Sequence, residues 1–401
     1  MIPATRTEAL SRLETFLPRA ASAYSRDRNY DRGPRDRTNV SVLSPYIRHR
    51  LVTEAEVVRA VLGRHRISAA EKFVEEICWR TYWKGWLEHR PSIWTAYLDE
   101  LNFDRASVAR QPERRDMLAD AERGTTGIAA FDIWSRELAE TGYLHNHARM
   151  WFASIWIFTL GLPWTLGADY FYRHLLDGDP ASNTLSWRWV AGLHTPGKHY
   201  VAEASNIRKF TDGRFDVTGE LNETPAPLDG AAIPEASRLR TPLNVAPDTP
   251  VVLLVGENDL APESLPLAAK SVKAVAILPP DTTYRDLAPN VVAFRMAALD
   301  DAAARAERAF KVPVVRVGED AVAALRLAAR KAGTDRMVIA EVPVGPARTT
   351  IDDLVSDLAG TGLTLSELRR PWDAAFWPHA KRGFFQLKSR IPETLERLEM
   401  L

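Results

Sequence analysis

The sequence predicts a molecule in two parts, an all-helical unit followed by a Rossmann-like parallel α/β unit. Three observations carry this reading. Apolar residues recur at three- and four-residue spacing through the first half of the 401 residues. A proline-rich, polar stretch then interrupts any periodicity. Beyond it, short apolar runs alternate with alanine-rich helical segments, as buried parallel strands with crossover helices do. The expected boundaries are 1–215 for the helical unit, 216–249 for a linker and 250–401 for the α/β unit.

The elements follow in order. TRTEALSRLETFL (5–17) has helical apolar spacing. SAAEKFVEEICWRTYWKGWLEH (68–89) is expected to open on Ser68 as a capping residue and carries a stripe of Phe73, Ile77, Trp83 and Trp86. Further helices are expected over 128–141, 145–160 and 167–176. The stretch 214–250 reads as a linker or a wrapped loop. Strands are expected at 251–255, 274–278, 291–295, 312–317 and 336–342, with helices at 299–311 and 321–333. Neither GxGxxG nor GxxxxGK[ST] occurs, so the sheet by itself predicts no nucleotide site.

Composition narrows the function classes. The 52 basic and 52 acidic side chains cancel, so no global charge draws the chain to nucleic acid or membrane, and any basic surface must be local. A single cysteine, Cys78, excludes an internal disulfide and a four-cysteine iron–sulfur cluster. The amino terminus lacks the apolar core of a secretory signal, and the longest nearly apolar run (151–164) is too short to span a bilayer. A cytoplasmic monomer without a bound metal is expected. Of twelve tryptophans, ten precede position 190, an unevenness that ordinary core packing does not predict.

Candidate site residues sit at helical spacing in that tryptophan-rich half. Glu76, Trp79 and Arg80 lie at i, i+3 and i+4, on one face of a helix. Asn146, Arg149 and Met150 repeat the spacing, and Asn183 and Trp187 are four apart. Each set puts a polar group beside a large apolar one, as a pocket for a flat aromatic ligand with polar edges requires. Arginines cluster at 26, 28, 32, 35, 37, 48 and 50 with interleaved aspartates, which suits either a self-neutralised loop or a rim for DNA phosphates.

Four segments in order resemble the flavin-binding domain of the DNA photolyase and cryptochrome family. They are the Ser41-Val42-Leu43-Ser44-Pro45-Tyr46 turn, Glu76-Ile77-Cys78-Trp79-Arg80, His145-Asn146-His147-Ala148-Arg149-Met150 and DGDPASNTLSWRW (177–189). The resemblance covers about residues 5–215 and implies an FAD cofactor. It implies that Ser41, Val42, Leu43 and Ser44 hold the FAD phosphates, with Tyr24, Arg28 and Arg80 nearby. Arg149 would pair with Asp177 against the ring system, and Asp179 would hold a polar edge or ribose group. Asn183 falls where the family faces the flavin N5. A carboxylate about 4 Å from a reduced, anionic flavin would cost roughly 4 kcal/mol at an effective dielectric of about 20, about three pKa units of bias; an amide adds no charge.

The same resemblance implies roles for the aromatics. Trp187 and Trp164 match the inner and middle members of the family's electron-transfer chain. No aromatic occupies 104–111, where the outer member belongs, and Trp94, Tyr97, Trp134 and Trp156 are the candidates to replace it. Trp79 and Trp189 match the indoles that flank a flipped-out lesion, with Glu76, Asn146 and Met150 contacting it. Asn146 and Met150, where enzymes of the (6-4) class carry histidines, imply the cyclobutane pyrimidine dimer in UV-damaged DNA; His147 departs from an arginine common in that class. A repair lyase is thus implied, with a cryptochrome-like light sensor or (6-4) repair as the alternatives. Residues 191–215 resemble a subgroup carrying an iron–sulfur cluster, which one cysteine cannot build. Residues 251–267 and 377–395 resemble parts of the family's α/β antenna domain, which implies a circular permutation, with a second chromophore left open.

Overall fold

The computed structural model describes residues 2–242, 248–280 and 286–401. The first half is helical: α1 (Arg6–Phe16), α2 (Ser22–Asp27), α3 (Ser44–Arg48), α4 (Glu54–Leu62), α5 (Ile67–Glu88) and α6 (Ser92–Ala109). These are followed by α7 (Pro112–Arg123), α8 (Ala129–Thr141), α9 (Asn146–Ser154), α10 (Trp164–His174), α11 (Pro180–Ala191) and α12 (Ala204–Phe210). No helix or strand separates α12 from the first strand among the described residues, which fits the expected wrapped loop; positions 243–247 of it lie outside them.

The second half carries β1 (Val251–Val255), β2 (Val272–Ile277), α13 (Pro289–Phe310), β3 (Val314–Arg316) and α14 (Ala321–Ala332). It continues through β4 (Arg336–Ala340), α15 (Pro346–Asp357), β5 (Thr364–Leu368), α16 (Pro371–Phe376), α17 (Phe384–Lys388) and α18 (Ile391–Arg397). The five strands form one parallel sheet in the order β3-β2-β1-β4-β5. All five residues of β1 are buried because both faces are covered. Leu253 and Val255 join the core of the helical half, while Val252 and Leu254 pack with Leu325, Ile351 and Leu354 of α14 and α15.

Two expectations are corrected, and one strand was not expected. Residues 291–295 form the start of α13 rather than a strand, because Val291, Phe294, Ala298 and Leu299 bury a continuous helical stripe opened by Pro289. Ser68 lies inside α5, whose N-cap is Arg66 with no side-chain hydrogen bond. The fifth strand, TLSEL, is an edge strand with no buried residue and too little apolar pattern to announce itself.

The halves are joined by a buried ionic seam. Arg50, at φ 52°, donates from Nη2 to both carboxylate oxygens of Asp373 at 2.8 and 2.7 Å and from Nε to Glu54 at 3.1 Å. Arg370 donates to both oxygens of Asp259 at 2.6 Å. Trp372 Nε1 donates to Thr81 on α5 at 2.9 Å. Gly85 lets the chain after α16 lie close on α5: a Cβ there would sit 2.8 Å from Trp377 Cδ1 and 2.9 Å from Ala380 Cβ.

The strand order reverses between β1 and β4, where open parallel sheets bind ligands at their carboxyl ends. That crevice is filled here. Arg48, Lys84, Asp179 and Pro180 of the helical half enter it against Asn258 and Gly345, and about 10 Å³ remains, room for one water at most.

Candidate functional site

Burial along three packed helices singles out the site. On α5, residues 73–88 are buried except for Glu76, Trp79 and Arg80. On α9 the incompletely buried positions are Asn146, His147, Arg149 and Met150; on α11 they are Ser182, Asn183, Ser186 and Trp189. α11 packs against both α5 and α9. Each helix thus withholds one facet from the core, and each facet carries residues singled out by their spacing.

Two tight turns connect these facets. In the Ser41–Ser44 turn, Val42 has φ 52°, a conformation a β-branched side chain adopts only under constraint. Leu43 follows in the right-handed region, and its N–H donates to Ser41 Oγ at 3.3 Å. A left-handed residue followed by a right-handed one turns successive amides toward the same side, which makes a concavity suited to an anion. The second turn, Asp177-Gly178-Asp179, precedes α11. Arg149 donates to Asp177 through both Nη atoms at 3.0 and 2.9 Å. Asp179 caps α11 by accepting from the Ser182 N–H at 2.7 Å and lies 3.7–3.8 Å from Arg48, Arg80 and Lys84. Burial would raise both carboxyls, but the cations outweigh it and hold Asp177 and Asp179 below the usual carboxylate range.

Polar atoms are left open around these turns. Arg80 Nη1 and Ser182 Oγ are buried without hydrogen-bond partners. The Asn183 amide donates to the Ala168 carbonyl at 2.7 Å, and its Oδ1 takes no partner among the described residues. Glu76 accepts from Arg28 Nη1 at 2.8 Å, while burial pushes its carboxyl above the usual range. Tyr24 packs edge-on against Phe16 and Phe73. His147 has a structural placement: it stacks on Trp151 with centroids 4.1 Å apart and bonds the Asn29 carbonyl through Nδ1.

The two indoles expected as walls each stack on a ring that the sequence did not flag. Trp79 stacks on Phe384 of α17 with centroids 3.7 Å apart and planes 13° apart. Trp189 stacks on Tyr200 at 5.7 Å and 26°. Both rings come from irregular or short segments, where no periodicity marks a partner. Arg48 and Lys84 were also missed as neighbours of Asp179, although Lys84 stands four residues after Arg80 on the same helix face.

Trp187 and Trp164 are both buried, on adjacent helices α11 and α10. Gly167 makes room for the Trp187 ring, whose Cη2 lies 2.3 Å from where a Cβ would be. Trp164 Nε1 donates to Glu100 at 2.8 Å, and its ring meets Tyr97 at 5.5 Å, which in turn meets Trp94 at 5.3 Å. Trp156 lies edge-on to Trp187 at 6.2 Å. Trp134 is elsewhere, stacked on Trp151 and donating to Asp31.

The amino-terminal arginines are mostly consumed by the fold. Arg26 pairs with Asp27, Arg28 with Glu76, Arg32 with Asp36, Arg37 with Glu137, Arg48 with Asp179 and Arg50 with the seam carboxylates. Arg35 alone of the group has no ion pair among the described residues. No described helix is long and apolar enough to cross a membrane, and no cluster of three or more His, Cys, Asp or Glu side chains suits a metal there.

Comparison with known proteins bears on the same helices. Residues 73–222 match the family described as the FAD binding domain of DNA photolyase. A deoxyribodipyrimidine photo-lyase of Alkalihalophilus pseudofirmus is 31% identical over 231 residues, 54% of this chain and 45% of the relative. One from Agrobacterium fabrum is 33% identical over 189 residues, 46% of this chain and 38% of the relative. A cryptochrome DASH of Ostreococcus tauri is 37% identical over 150 residues, 37% of this chain and 26% of the relative. A solved class III photolyase from Agrobacterium tumefaciens aligns at 29% identity and a TM-score of 0.43, covering 51% of this chain and 42% of its own. The chain therefore spans less than half the length of these relatives. Within its helical half, over residues 73–222, the chain is thus similar to the FAD binding domain of DNA photolyase.

Proposed function

We propose that this protein repairs cyclobutane pyrimidine dimers in UV-damaged DNA under blue light, with FAD bound in the helical half. The observation that carries the reading is the set of three facets left unburied on α5, α9 and α11. Arg80 Nη1, ion-paired with Asp179 but without a hydrogen bond, the Ser182 Oγ without one, and the constrained Val42 turn fit a polar ligand with phosphates and ring edges. Ser41, Val42, Leu43 and Ser44 would hold the phosphates, with Tyr24 and Arg28 beside them. Arg80, Arg149, Asp177, Asp179 and Asn183 would line the polar side of the rings. When bound and reduced, FAD supplies a light-excited electron donor.

The protein's own residues shape what that donor meets. Trp79 and Trp189, stiffened by Phe384 and Tyr200, offer apolar walls for two extruded bases; such stacking contributes roughly 1–3 kcal/mol per base against an unstacking cost of a few kcal/mol. Glu76, Asn146 and Met150 orient the dimer. The Glu76 carboxylate, held by Arg28, accepts a hydrogen bond from the dimer. Asn183 keeps charge away from the ring edge. Trp187, Trp164, Tyr97 and Trp94 provide the electron route that resets the site. The α/β unit acts as a permuted, structural counterpart of an antenna domain, since its ligand crevice is filled.

A light-sensing role without repair is the second reading, favoured by the pairing of Glu76 with Arg28. Illumination of the reduced protein with a dimer-containing oligonucleotide separates the two. Loss of dimer supports repair; tight flavin binding and a photocycle with no loss supports the sensor; a protein that takes up no flavin removes both.

A further inference from the structure

We infer that the carboxyl-terminal strap KRGFFQLKSR (381–390) is a DNA-binding element built onto the lesion site, an inference that rests on the repair reading above. Trp377, Ala380, Phe384 and Leu387 are buried at helix-like spacing, so the strap lies on α5 with its other side facing solvent. Phe384 is seated on Trp79. The next residue, Phe385, is 80% exposed, the most exposed large apolar side chain among the described residues. An isolated exposed leucine is unremarkable on a protein surface, but an exposed phenyl ring one residue from a stacked wall is not.

Charge identifies the partner. Lys381 and Arg382 are exposed and make no ion pair among the described residues. Lys388 pairs with Glu71 and Glu75, and Arg390 with Glu393, so those two are largely spent. The amino-terminal arginines that looked like a phosphate rim are all ion-paired except Arg35, whereas this strap holds two unpaired cations and an exposed ring next to Trp79. Unpaired cations beside an exposed ring suit a polyanion with stackable faces, and an apolar ring suits the step left open when a base pair is extruded. Phe385 is therefore assigned to a base adjoining the lesion, and Lys381 and Arg382 to the flanking phosphates.

The test uses the full-length, flavin-loaded protein in the dark, with a duplex carrying one thymine cyclobutane dimer and an undamaged duplex of the same sequence. Phe385→Ala is expected to bind the damaged duplex about tenfold more weakly, the scale of one stacked base, while Phe385→Trp retains affinity. The Lys381→Ala/Arg382→Ala double variant should lower the slope of log affinity against log salt by about 1.8, as for two phosphates. Unchanged flavin absorbance and thermal unfolding would show that these exposed substitutions leave the fold intact. Wild-type binding of the damaged duplex with an unaltered Phe385→Ala variant overturns this inference and leaves the repair reading standing. Failure of the wild-type protein to bind removes both. Self-association that depends on Phe385, without change in DNA affinity, would assign the patch to a second copy and overturn the DNA assignment.

Discussion

Two places in this molecule have the topology of a ligand site, and they are treated in opposite ways. The crevice between β1 and β4 is plugged by Arg48, Lys84 and Pro180 from the helical half until about 10 Å³ remains. The facets of α5, α9 and α11 stay partly exposed, with the buried Arg80 Nη1 and Ser182 Oγ near them left without hydrogen bonds. Dense packing is what an interior reaches when only its own side chains must be satisfied. Polar atoms without partners inside a protein mark a place that packing alone did not complete. The α/β unit thus meets the helical half through a packed, ion-paired surface, whereas α5, α9 and α11 keep polar side chains that their own packing does not cover.

The sharpest break of this comparison is at the seam that does the clamping. Arg50→Ala removes the cation facing Glu54, Asp259 and Asp373, and is expected to cost about 3–5 kcal/mol because charges stay buried without their partner. A chemical denaturation midpoint within error of the wild type would mean the seam contributes nothing. On the open side, Asn183→Asp should bias against the reduced, anionic cofactor by about 4 kcal/mol at an effective dielectric of about 20. Redox titration of the purified flavoprotein reads this directly, and an unchanged reduction profile would remove Asn183 from the ring edge.

Gly85→Ala should cost about 1–3 kcal/mol, since its Cβ would overlap Trp377 and Ala380 and lift the strap that carries Phe384. Thermal unfolding measures it, and an unshifted Tm would show that the strap is loosely held. The pH profile sharpens the contrast further. Burial lowers His145, His174 and His194 to about 4, so the unfolded chain binds their protons first. Stability should fall as pH drops from about 6.5 to about 4, the interval between the free and folded values. The depressed Asp177, Asp179 and Asp259 are charged and stabilising throughout that range and lose their contribution only below about pH 4, as pH falls through their folded values. A Tm flat from pH 6.5 to 4 would contradict the histidine assignment. The smallest effect is Val42→Gly, where relief of a left-handed β-branched residue, a strain of order 1 kcal/mol, is offset by loss of its buried side chain, so the Tm should move little.

Local pattern was enough to announce a helical half before an α/β half, most strand positions and the residues at i, i+3 and i+4 on α5 and α9, because helical and strand periodicities are properties of neighbouring residues. It misread 291–295, where a β-branched run begins a helix whose buried stripe becomes clear only over two further turns. Tertiary structure alone decided the rest. It brought Phe384 onto Trp79 from some three hundred residues away, set Tyr97 rather than Trp134 beside Trp164, and turned Arg37, Arg48 and Arg50 inward to buried acids. Stacking, ion pairing and the filling of a crevice depend on which surfaces meet, and no local pattern in a chain encodes the face that a distant segment will bring to it.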